Sequence, residues 1–391
     1  MKKLFCLKML SALVLALTMC IGAATAGAAP WSFGVMSDTQ WTAPTDPARQ
    51  NPKGVAVSII NQINQQFIKA GVKFVIQVGD LTEKGNDADI HVRALAAHPL
   101  YLAGIGFFPM RGNHEVSAKP AGVNQYGITA FKDNFPQTRG QGSDIFGAAN
   151  FNSPSSVSAD LDGMSYSFDY GEAGNNVRFV IIDNWATPSK SLVHENGYTY
   201  GYSIDDQQAW INSRLNKNTR GTEHALVFSH QNLIGENHQD SLFTGYTDAH
   251  PDWQNAFFTS LQDNNVKYYL SGHDHVHQRS IITSPDGASQ VEELICASNS
   301  SKFYTPKPPT DAKWYSQKTR ETSLSQELYT VGYYIFTIDG PRVTIDYYSD
   351  DHGKWQSDDS YPNGKGLPDT GITPTFKFVK KETWGDSLQG K

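Results

Sequence analysis

The chain repeats one pattern of hydrophobic and polar positions: a short apolar run stops at residues whose side chains can bind metals or protons. The runs are rich in β-branched and aromatic residues, and their length is typical of buried strands. They occupy residues 31–38, 72–80, 104–115, 177–184, 224–230 and 266–275. We therefore predict six buried strands, each followed by a polar turn.

Helical periodicity occurs between these strands. Residues 55–71 carry apolar side chains along one broad face and stop at Gly71, and residues 205–216 and 251–265 have similar patterns. Alternation of strands and helices predicts an α/β fold. Since ligands gather beyond the carboxyl ends of the strands in such sheets, the recurring polar residues predict a functional site there.

Three segments lack this periodicity and are predicted to be loops: residues 137–165, 185–204 and 301–326. Residues 329–351 then form two alternating segments around Asp339 and Gly340, which predicts a β-hairpin. We expect one domain over residues 31–350, followed by a polar, Gly-rich tail over residues 351–391.

Residues 1–26 have the features of a secretory signal peptide: a basic start, a short apolar core and small residues at the cleavage position. Cleavage after Ala26 or Ala28 is predicted, and a lipoprotein anchor on Cys20 is the alternative. Cleavage after Ala26 removes three lysines and no acidic residue, so the formal net charge changes from −7 to −10. It also leaves Cys296 as the only cysteine, which excludes an internal disulfide. We expect a periplasmic or secreted protein with no later membrane span and no affinity for nucleic acid.

Six polar residues at the strand ends have side chains that bind divalent metals. They are two carboxylates, one amide and three imidazoles: Asp38, Asp80, Asn113, His230, His273 and His275. This set suits Mn, Zn or Fe and does not suit thiolate chemistry. Two such ions about 3.5–4 Å apart can hold a phosphoryl group and activate a water molecule.

The order of the segments GDLTEKG, GNHE, FSH and GHDH after the first aspartate resembles the calcineurin-like metallophosphoesterases, with a lean towards the purple acid phosphatase branch. The resemblance extends from about residue 33 to residue 280, which is most of the mature chain. It implies a four-layer αββα sandwich, in which helices flank two mixed β-sheets. It also implies an enzyme that hydrolyses phosphoric esters.

The resemblance further implies a site with two divalent or trivalent ions. The implied ligands are Asp38 and His275 for the first ion, Asn113, His230 and His273 for the second, and Asp80 as a bridge between them. His114 would face the phosphate and protonate or stabilise the leaving group, and Glu115 would orient His114. A hydroxide that bridges the ions would be the nucleophile.

Gln40 departs from the pattern of the family, because most members have a histidine at this position. Purple acid phosphatases replace that histidine with a tyrosine three residues after the bridging aspartate, but this chain has Glu83 there. The iron–tyrosinate centre is therefore not expected. The amide oxygen of Gln40 is a legitimate but weaker ligand, so we expect a working, modified site in which the first ion is bound less tightly.

Several neighbouring residues have less specific signals. Arg111 and His277 are candidates for contact with the substrate. The remaining polar residues are expected to be structural or to lie at the surface: Asp183, Asn184, His91, His98, His194 and His238. Cys296 is expected to be a small buried hydrophobe.

We expect a small phosphorylated substrate, and a phosphomonoester is slightly favoured. A phosphodiesterase that acts on cyclic nucleotide or lipid-type diesters is the first alternative. The alternative from another class is a non-catalytic protein that binds phosphate esters on a decayed phosphoesterase fold, which only Gln40 favours. The oligomeric state stays open.

Overall fold

A computed structural model provides the structure of the protein. It describes residues 28–43, 46–117, 127–142, 145–185, 192–193, 199–246, 249–308, 318–350 and 373–386. The predicted signal peptide and most of the predicted loop at 185–204 lie outside these residues.

The first β-sheet is mixed and has six strands among the described residues. These are β1 (Trp31–Met36), β2 (Phe74–Gln77), β3 (Gly106–Pro109), β16 (Gly332–Asp339), β17 (Arg342–Asp350) and β18 (Phe378–Gly385). Their spatial order is β18-β17-β16-β1-β2-β3. β1, β2 and β3 are parallel, so their carboxyl ends meet at one edge of the sheet.

The second β-sheet is also mixed, and the described ranges contribute eight strands to it. These are β4 (Ala149–Asn152), β5 (Tyr166–Glu172), β6 (Asn175–Ile182), β9 (His224–Ser229), β12 (Tyr268–Ser271), β13 (His277–Thr283), β14 (Gln290–Ile295) and β15 (Glu321–Glu327). Their order is β15-β13-β14-β12-β9-β6-β5-β4, with β6, β9, β12 and β14 parallel. Two short ribbons pair β7 (Leu192–Val193) with β8 (Thr199–Tyr200), and β10 (Asp240–Ser241) with β11 (Gly245–Tyr246).

Helices cover the outer face of each sheet. The α-helices are Val57–Ala70, Asp87–Leu102, Asn113–Ser117, Ile128–Asn134, Ile204–Leu215 and Pro251–Asp263, and the short 3₁₀ helices are Pro52–Gly54, Pro136–Arg139 and Ala159–Leu161. The helix Val57–Ala70 ends where Gly71 takes the left-handed conformation, with φ of 68°, because glycine adopts positive φ without steric cost. Among the residues that the structure describes, no helix is long and apolar enough to cross a membrane.

Three hydrophobic clusters correspond to the interfaces between four layers. The central cluster lies between the sheets, where Phe74 of β2 stacks on Phe33 of β1 at 5.3 Å and meets Phe179 of β6 edge-on at 5.2 Å. The second cluster joins the first sheet to the helices Val57–Ala70 and Asp87–Leu102. The third joins the second sheet to the helices Ile204–Leu215 and Pro251–Asp263. The predicted αββα sandwich of two mixed sheets is therefore confirmed.

The main difference from the predicted organisation lies near the carboxyl end. Residues assigned from sequence to a polar tail include β18, which pairs antiparallel with β17 and closes the first sheet. Lys380 and Lys381 of this strand are exposed, and charged residues are common on edge strands because they discourage pairing with other chains. The domain therefore extends beyond residue 350. The predicted hairpin is confirmed, since β16 and β17 are joined by Gly340 and Pro341.

Candidate metal centre

The predicted ligands converge where strands of both sheets end. Asp38, Asp80 and Asn113 follow the first sheet's parallel strands β1, β2 and β3. His230 follows β9 of the second sheet, and His273 follows β12. Because the two sheets stack face to face with these ends at the same edge, residues that are far apart in sequence become neighbours.

Within the described part of the chain, two groups of side chains have the geometry to hold a metal ion. One comprises Asp80, His230 and His273, and the other comprises Asp38, Asp80 and His275. In each group, the potential ligand atoms lie within 4.8 Å of one another, and all these residues are buried. Asp80 belongs to both groups, which is the geometry expected of a bridging carboxylate.

Four of these ligand residues have a left-handed backbone, which non-glycine residues adopt rarely. The φ angles are 50° for Asp38, 45° for Asp80, 73° for His273 and 53° for His275. This conformation costs roughly 1–2 kcal/mol per residue. Glycine would remove the cost but would also remove the ligand. Such a concentration of strain at side chains that face one another is typical of functional sites.

Two glycines allow the ligand loops to approach one another closely. A Cβ atom on Gly112 would collide with the carboxylate of Asp80, and a Cβ atom on Gly272 would lie 2.7 Å from Oδ2 of Asp38. Any side chain at either position would displace a carboxylate of the site. The glycines of GNHE and GHDH are therefore required by packing.

The ring of His230 is oriented by a backbone carbonyl. Its Nδ1 donates to the carbonyl oxygen of Val78 at 2.9 Å. Nε2 then faces the site, 3.2 Å from Oδ1 of Asn113 and 3.3 Å from Oδ1 of Asp80. A hydrogen bond that fixes the tautomer in this way is usual for histidines that bind metals.

His275 has the same arrangement. Its Nδ1 lies 2.8 Å from the carbonyl oxygen of Lys302 and 3.0 Å from Oγ of Ser298. Nε2 points towards Oδ1 of Asp38, at 3.4 Å. Burial lowers the pKa of His275 well below its usual value, and the positive charge of Lys302 lowers it further. A neutral imidazole is the form that binds a metal.

His273 is oriented by a carboxylate that the sequence analysis did not identify. Oδ1 of Asp240 lies 3.3 Å from Nε2 of His273, and Oδ2 accepts a hydrogen bond from Gln231 at 3.0 Å. Asp240 is 2 % exposed. Burial opposes its ionisation, but the neighbouring His273 outweighs burial and lowers the pKa of Asp240. This is the carboxylate–histidine arrangement that supports metal ligands in many proteins.

The carboxylates themselves indicate a site for cations. Burial raises the pKa of Asp38 to about 7, and the negative charge of Asp80 adds to that rise. The pKa of Asp80 is lowered instead, because His230 and His114 outweigh its burial. Two buried carboxylates are placed this close at a large desolvation cost unless positive charge compensates them. The donor set therefore fits hard or borderline metal ions.

Gln40 lies at the first group of ligands. Its amide nitrogen is 3.0 Å from Oδ2 of Asp80 and 3.1 Å from Nε2 of His275. Among the described residues, its buried Oε1 has no hydrogen-bond partner. Because the oxygen and nitrogen of an amide exchange places by a simple rotation, that rotation would direct the oxygen towards the two ligands.

His114 faces the site from the GNHE loop. Its side chain is 17 % exposed, its Nδ1 donates to the carbonyl oxygen of Glu83 at 2.8 Å, and its Nε2 is 3.7 Å from Oδ2 of Asp80. The orienting contact thus comes from Glu83. Glu115, which was predicted to supply it, accepts hydrogen bonds from the backbone N–H groups of Thr82 and Gly112. It ties the loop of Asp80 to the loop of Asn113.

Two candidates for substrate contact are wrong. The Arg111 guanidinium is fully buried and forms a two-pronged ion pair with Asp183, at 2.7 and 3.0 Å. His277 is 1 % exposed and stacks on Tyr347 at 3.9 Å, with Nδ1 2.9 Å from the hydroxyl of Tyr334. Both side chains contribute to packing beneath the site.

His238 was expected at the surface, but it lies beside the second group of ligands. Its ring centroid is 4.0 Å from that of His273, and its Nδ1 is 2.6 Å from Oδ1 of Asp274. Its side chain is 21 % exposed, and His238 belongs to neither group of potential ligands. His91 and His98 are exposed, as predicted, whereas His194 lies outside the described residues. Cys296 is buried, also as predicted.

The two groups of ligands at the ends of the strands define a candidate site for metal ions. The family model for calcineurin-like phosphoesterases matches residues 32–277. This is more than half of the chain, so the protein belongs to the calcineurin-like phosphoesterase family and is a metallophosphoesterase, as the sequence motifs predicted.

Solved structures with the same fold include PhoD and a purple acid phosphatase. The chain superposes on PhoD with a TM-score of 0.52 and 13 % identity, covering 92 % of this chain and 70 % of PhoD. For the purple acid phosphatase PPD1 from yellow lupin seeds, the TM-score is 0.51 and the identity 13 %, covering 82 % of this chain and 51 % of the lupin chain. Identities this low show a shared fold alone. No curated protein matches the sequence significantly.

Proposed function

We propose that this protein hydrolyses phosphomonoesters at a centre with two metal ions. The observation that carries the proposal is the position of Asp80 in both groups of ligands. A carboxylate shared in this way holds two ions at the short separation that in-line displacement at phosphorus requires.

The chain offers a complete ligand set for two ions. The first ion would be held by Asp38, Gln40, Asp80 and His275, and the second by Asp80, Asn113, His230 and His273. When bound, the ions supply Lewis acidity and lower the pKa of a water molecule, which provides the hydroxide nucleophile. Mn, Zn and Fe all suit these oxygen and nitrogen donors.

His114 is proposed to act on the leaving group. Its Nδ1 is committed to the carbonyl oxygen of Glu83, so Nε2 is the atom directed towards the substrate. Burial lowers the pKa of His114, but the negative charges of Asp80 and Glu83 outweigh burial and raise it overall. A protonated imidazole in this position can donate a hydrogen bond or a proton to the departing oxygen.

The alternatives receive less support from the arrangement of the site. A decayed, non-catalytic fold would not need the strained backbone of Asp38 and Asp80 or the oriented rings of His230 and His275. The choice between monoester and diester depends on positive charge near the phosphate. Arg111 does not supply that charge, because its guanidinium is paired with Asp183.

The test compares hydrolysis of 4-nitrophenyl phosphate with hydrolysis of bis(4-nitrophenyl) phosphate. The protein is stripped with a chelator, assayed, and assayed again after addition of Mn, Zn or Fe. We expect metal to restore turnover, with the monoester preferred. His230→Ala should abolish turnover, whereas His91→Ala, which removes an exposed histidine, should leave it unchanged. Absence of turnover with every metal would refute the proposed function, and a preference for the diester would refute its substrate class.

We also propose that the protein is exported by its amino-terminal segment and acts in the periplasm or outside the cell. The support is the signal-peptide pattern of residues 1–26. Mass spectrometry of the protein from a cell envelope or culture medium fraction should find a chain that begins after Ala26 or Ala28. An uncleaved chain confined to the cytoplasm would contradict export.

A further inference from the structure

A lysine next to the metal centre has no assigned role. Lys302 lies in the segment after β14, and its ammonium group lies over the ring of Tyr304, 4.5 Å from the centroid. The side chain is only partly buried. Among the described residues, no carboxylate lies within ion-pair distance of this ammonium group. A positive charge that has no carboxylate partner and lies beside the metal ligands is available to bind an anion.

The segment that carries Lys302 is fixed against the metal ligands. The carbonyl oxygen of Lys302 accepts a hydrogen bond from Nδ1 of His275 at 2.8 Å, and its N–H donates to Oγ of Ser300 at 3.1 Å. Ser300 in turn donates to the carbonyl oxygen of Gln40 at 2.5 Å. Lys302 is therefore positioned by the same contacts that position two residues of the first metal site.

The ring of Tyr304 connects the lysine to both halves of the site. It meets the ring of His275 edge-on at 5.1 Å and the ring of His238 edge-on at 4.7 Å. The ammonium of Lys302 thus lies one aromatic ring away from His275. The charge of Lys302 also reaches His114 and its partner Glu83. Burial has the largest effect on the pKa of these two groups, and the positive charge of Lys302 adds a smaller lowering of both.

We propose that the ammonium of Lys302 binds a non-bridging oxygen of the substrate phosphoryl group and thereby selects monoesters over diesters. This inference rests on the proposed function of the same site. A monoester carries three non-bridging oxygens and a charge near −2, whereas a diester has two such oxygens and a charge of −1. The metal ions and His114 would meet part of that charge, and among the described residues Lys302 offers a positive charge without a carboxylate partner for the third oxygen.

The experiment uses the metal-loaded protein and three variants. Lys302→Met removes the charge but keeps the length of the side chain, and Lys302→Arg keeps the charge. Lys267→Met is the matched control, because Lys267 is exposed and lies before β12, at the opposite end of the sheet. Each protein is assayed for kcat/KM with 4-nitrophenyl phosphate and with bis(4-nitrophenyl) phosphate. Binding of inorganic phosphate is measured by calorimetry, and metal content is measured in parallel.

We expect Lys302→Met to lower kcat/KM for the monoester by about 10- to 100-fold, the range for loss of a charged hydrogen bond. Diester hydrolysis should change little, phosphate binding should weaken, and metal content should stay the same. Lys302→Arg should recover part of the loss. Equal losses for both esters, or unchanged phosphate binding by Lys302→Met, would overturn the inference. If the wild-type protein hydrolyses neither ester, the proposed function fails, and the phosphate measurement alone still decides whether Lys302 binds phosphate.

Discussion

The role of Asp240 provides the most discriminating prediction, because this carboxylate touches a ligand of one ion only. Its Oδ1 lies 3.3 Å from Nε2 of His273, and His273 belongs to the second group of ligands but not to the first. Asp240→Asn keeps the size of the side chain and removes its charge. The second ion should therefore be bound less tightly, while the affinity for the first ion should not change.

The expected magnitude follows from the geometry. Loss of a partner that supports a metal ligand typically costs 10- to 100-fold in metal affinity. A separation of 3.3 Å is long for a nitrogen–oxygen hydrogen bond, so we expect the lower end of that range. This is about tenfold, or about 1.4 kcal/mol. The hydrogen bond from Gln231 should hold the new amide in place, so folding should be preserved.

The assay is a calorimetric titration of the chelator-stripped protein with Zn or Mn. Ser298→Ala is the crossed control, because its hydroxyl contacts Nδ1 of His275 at 3.0 Å and His275 belongs to the first group. The control should weaken only the first ion, and by less than tenfold, because the carbonyl of Lys302 still accepts from His275. If Asp240→Asn weakened both ions equally, or only the first, the proposed assignment of ligands would be refuted.

Three further predictions concern the same structure. Asp80→Ala should abolish turnover and metal binding at both positions, and a variant that still holds two ions by elemental analysis would contradict the bridging role. Gln40→His should tighten binding of the first ion, and an unchanged affinity would show that Gln40 does not contact it. Burial raises the pKa of Glu293 to about 8, so in the folded protein this carboxyl keeps its proton above its ordinary range. Its contribution to the free energy of unfolding is complete below its ordinary pKa of 4.5 and is lost as the pH rises through about 8, by up to about 1.4 kcal/mol per pH unit. Glu293→Gln should flatten this decline in denaturant titrations, and an unchanged pH dependence would contradict the assigned pKa.

The ligands could be found from sequence because each one lies in the turn that follows a strand. Once the strands are recognised, the geometry of parallel sheets brings Asp38, Asp80 and His230 to one edge. No long-range information is needed beyond the order of the strands. The same pattern predicted the fold class, because every apolar run that precedes a ligand is a strand in the structure.

The predictions failed for residues whose contacts depend on the direction of the side chain or on a segment that is distant in the sequence. Arg111 is two residues before Asn113, yet its side chain turns to Asp183, which is 72 positions away. His277 begins β13, and its ring packs on Tyr347 of the other sheet. No local pattern reports such contacts between sheets.

Asp240 was missed for a related reason. It lies in β10, a strand of two residues that is too short to show periodicity, and its role depends on the contact with His273, which is distant in the sequence. The sequence shows only an acidic residue between the FSH and GHDH motifs, and its burial becomes visible in the structure. The strand β18 was missed because an edge strand exposes one side and therefore tolerates a polar sequence.

If two ions share Asp80, turnover must depend on the amount of metal that the protein binds. Chelator-stripped protein is titrated with the activating metal, and hydrolysis of 4-nitrophenyl phosphate is measured at each ratio of metal to protein. We expect turnover to rise to a plateau at two equivalents of bound metal per chain. A plateau at one equivalent, or full turnover by the stripped protein, would contradict it.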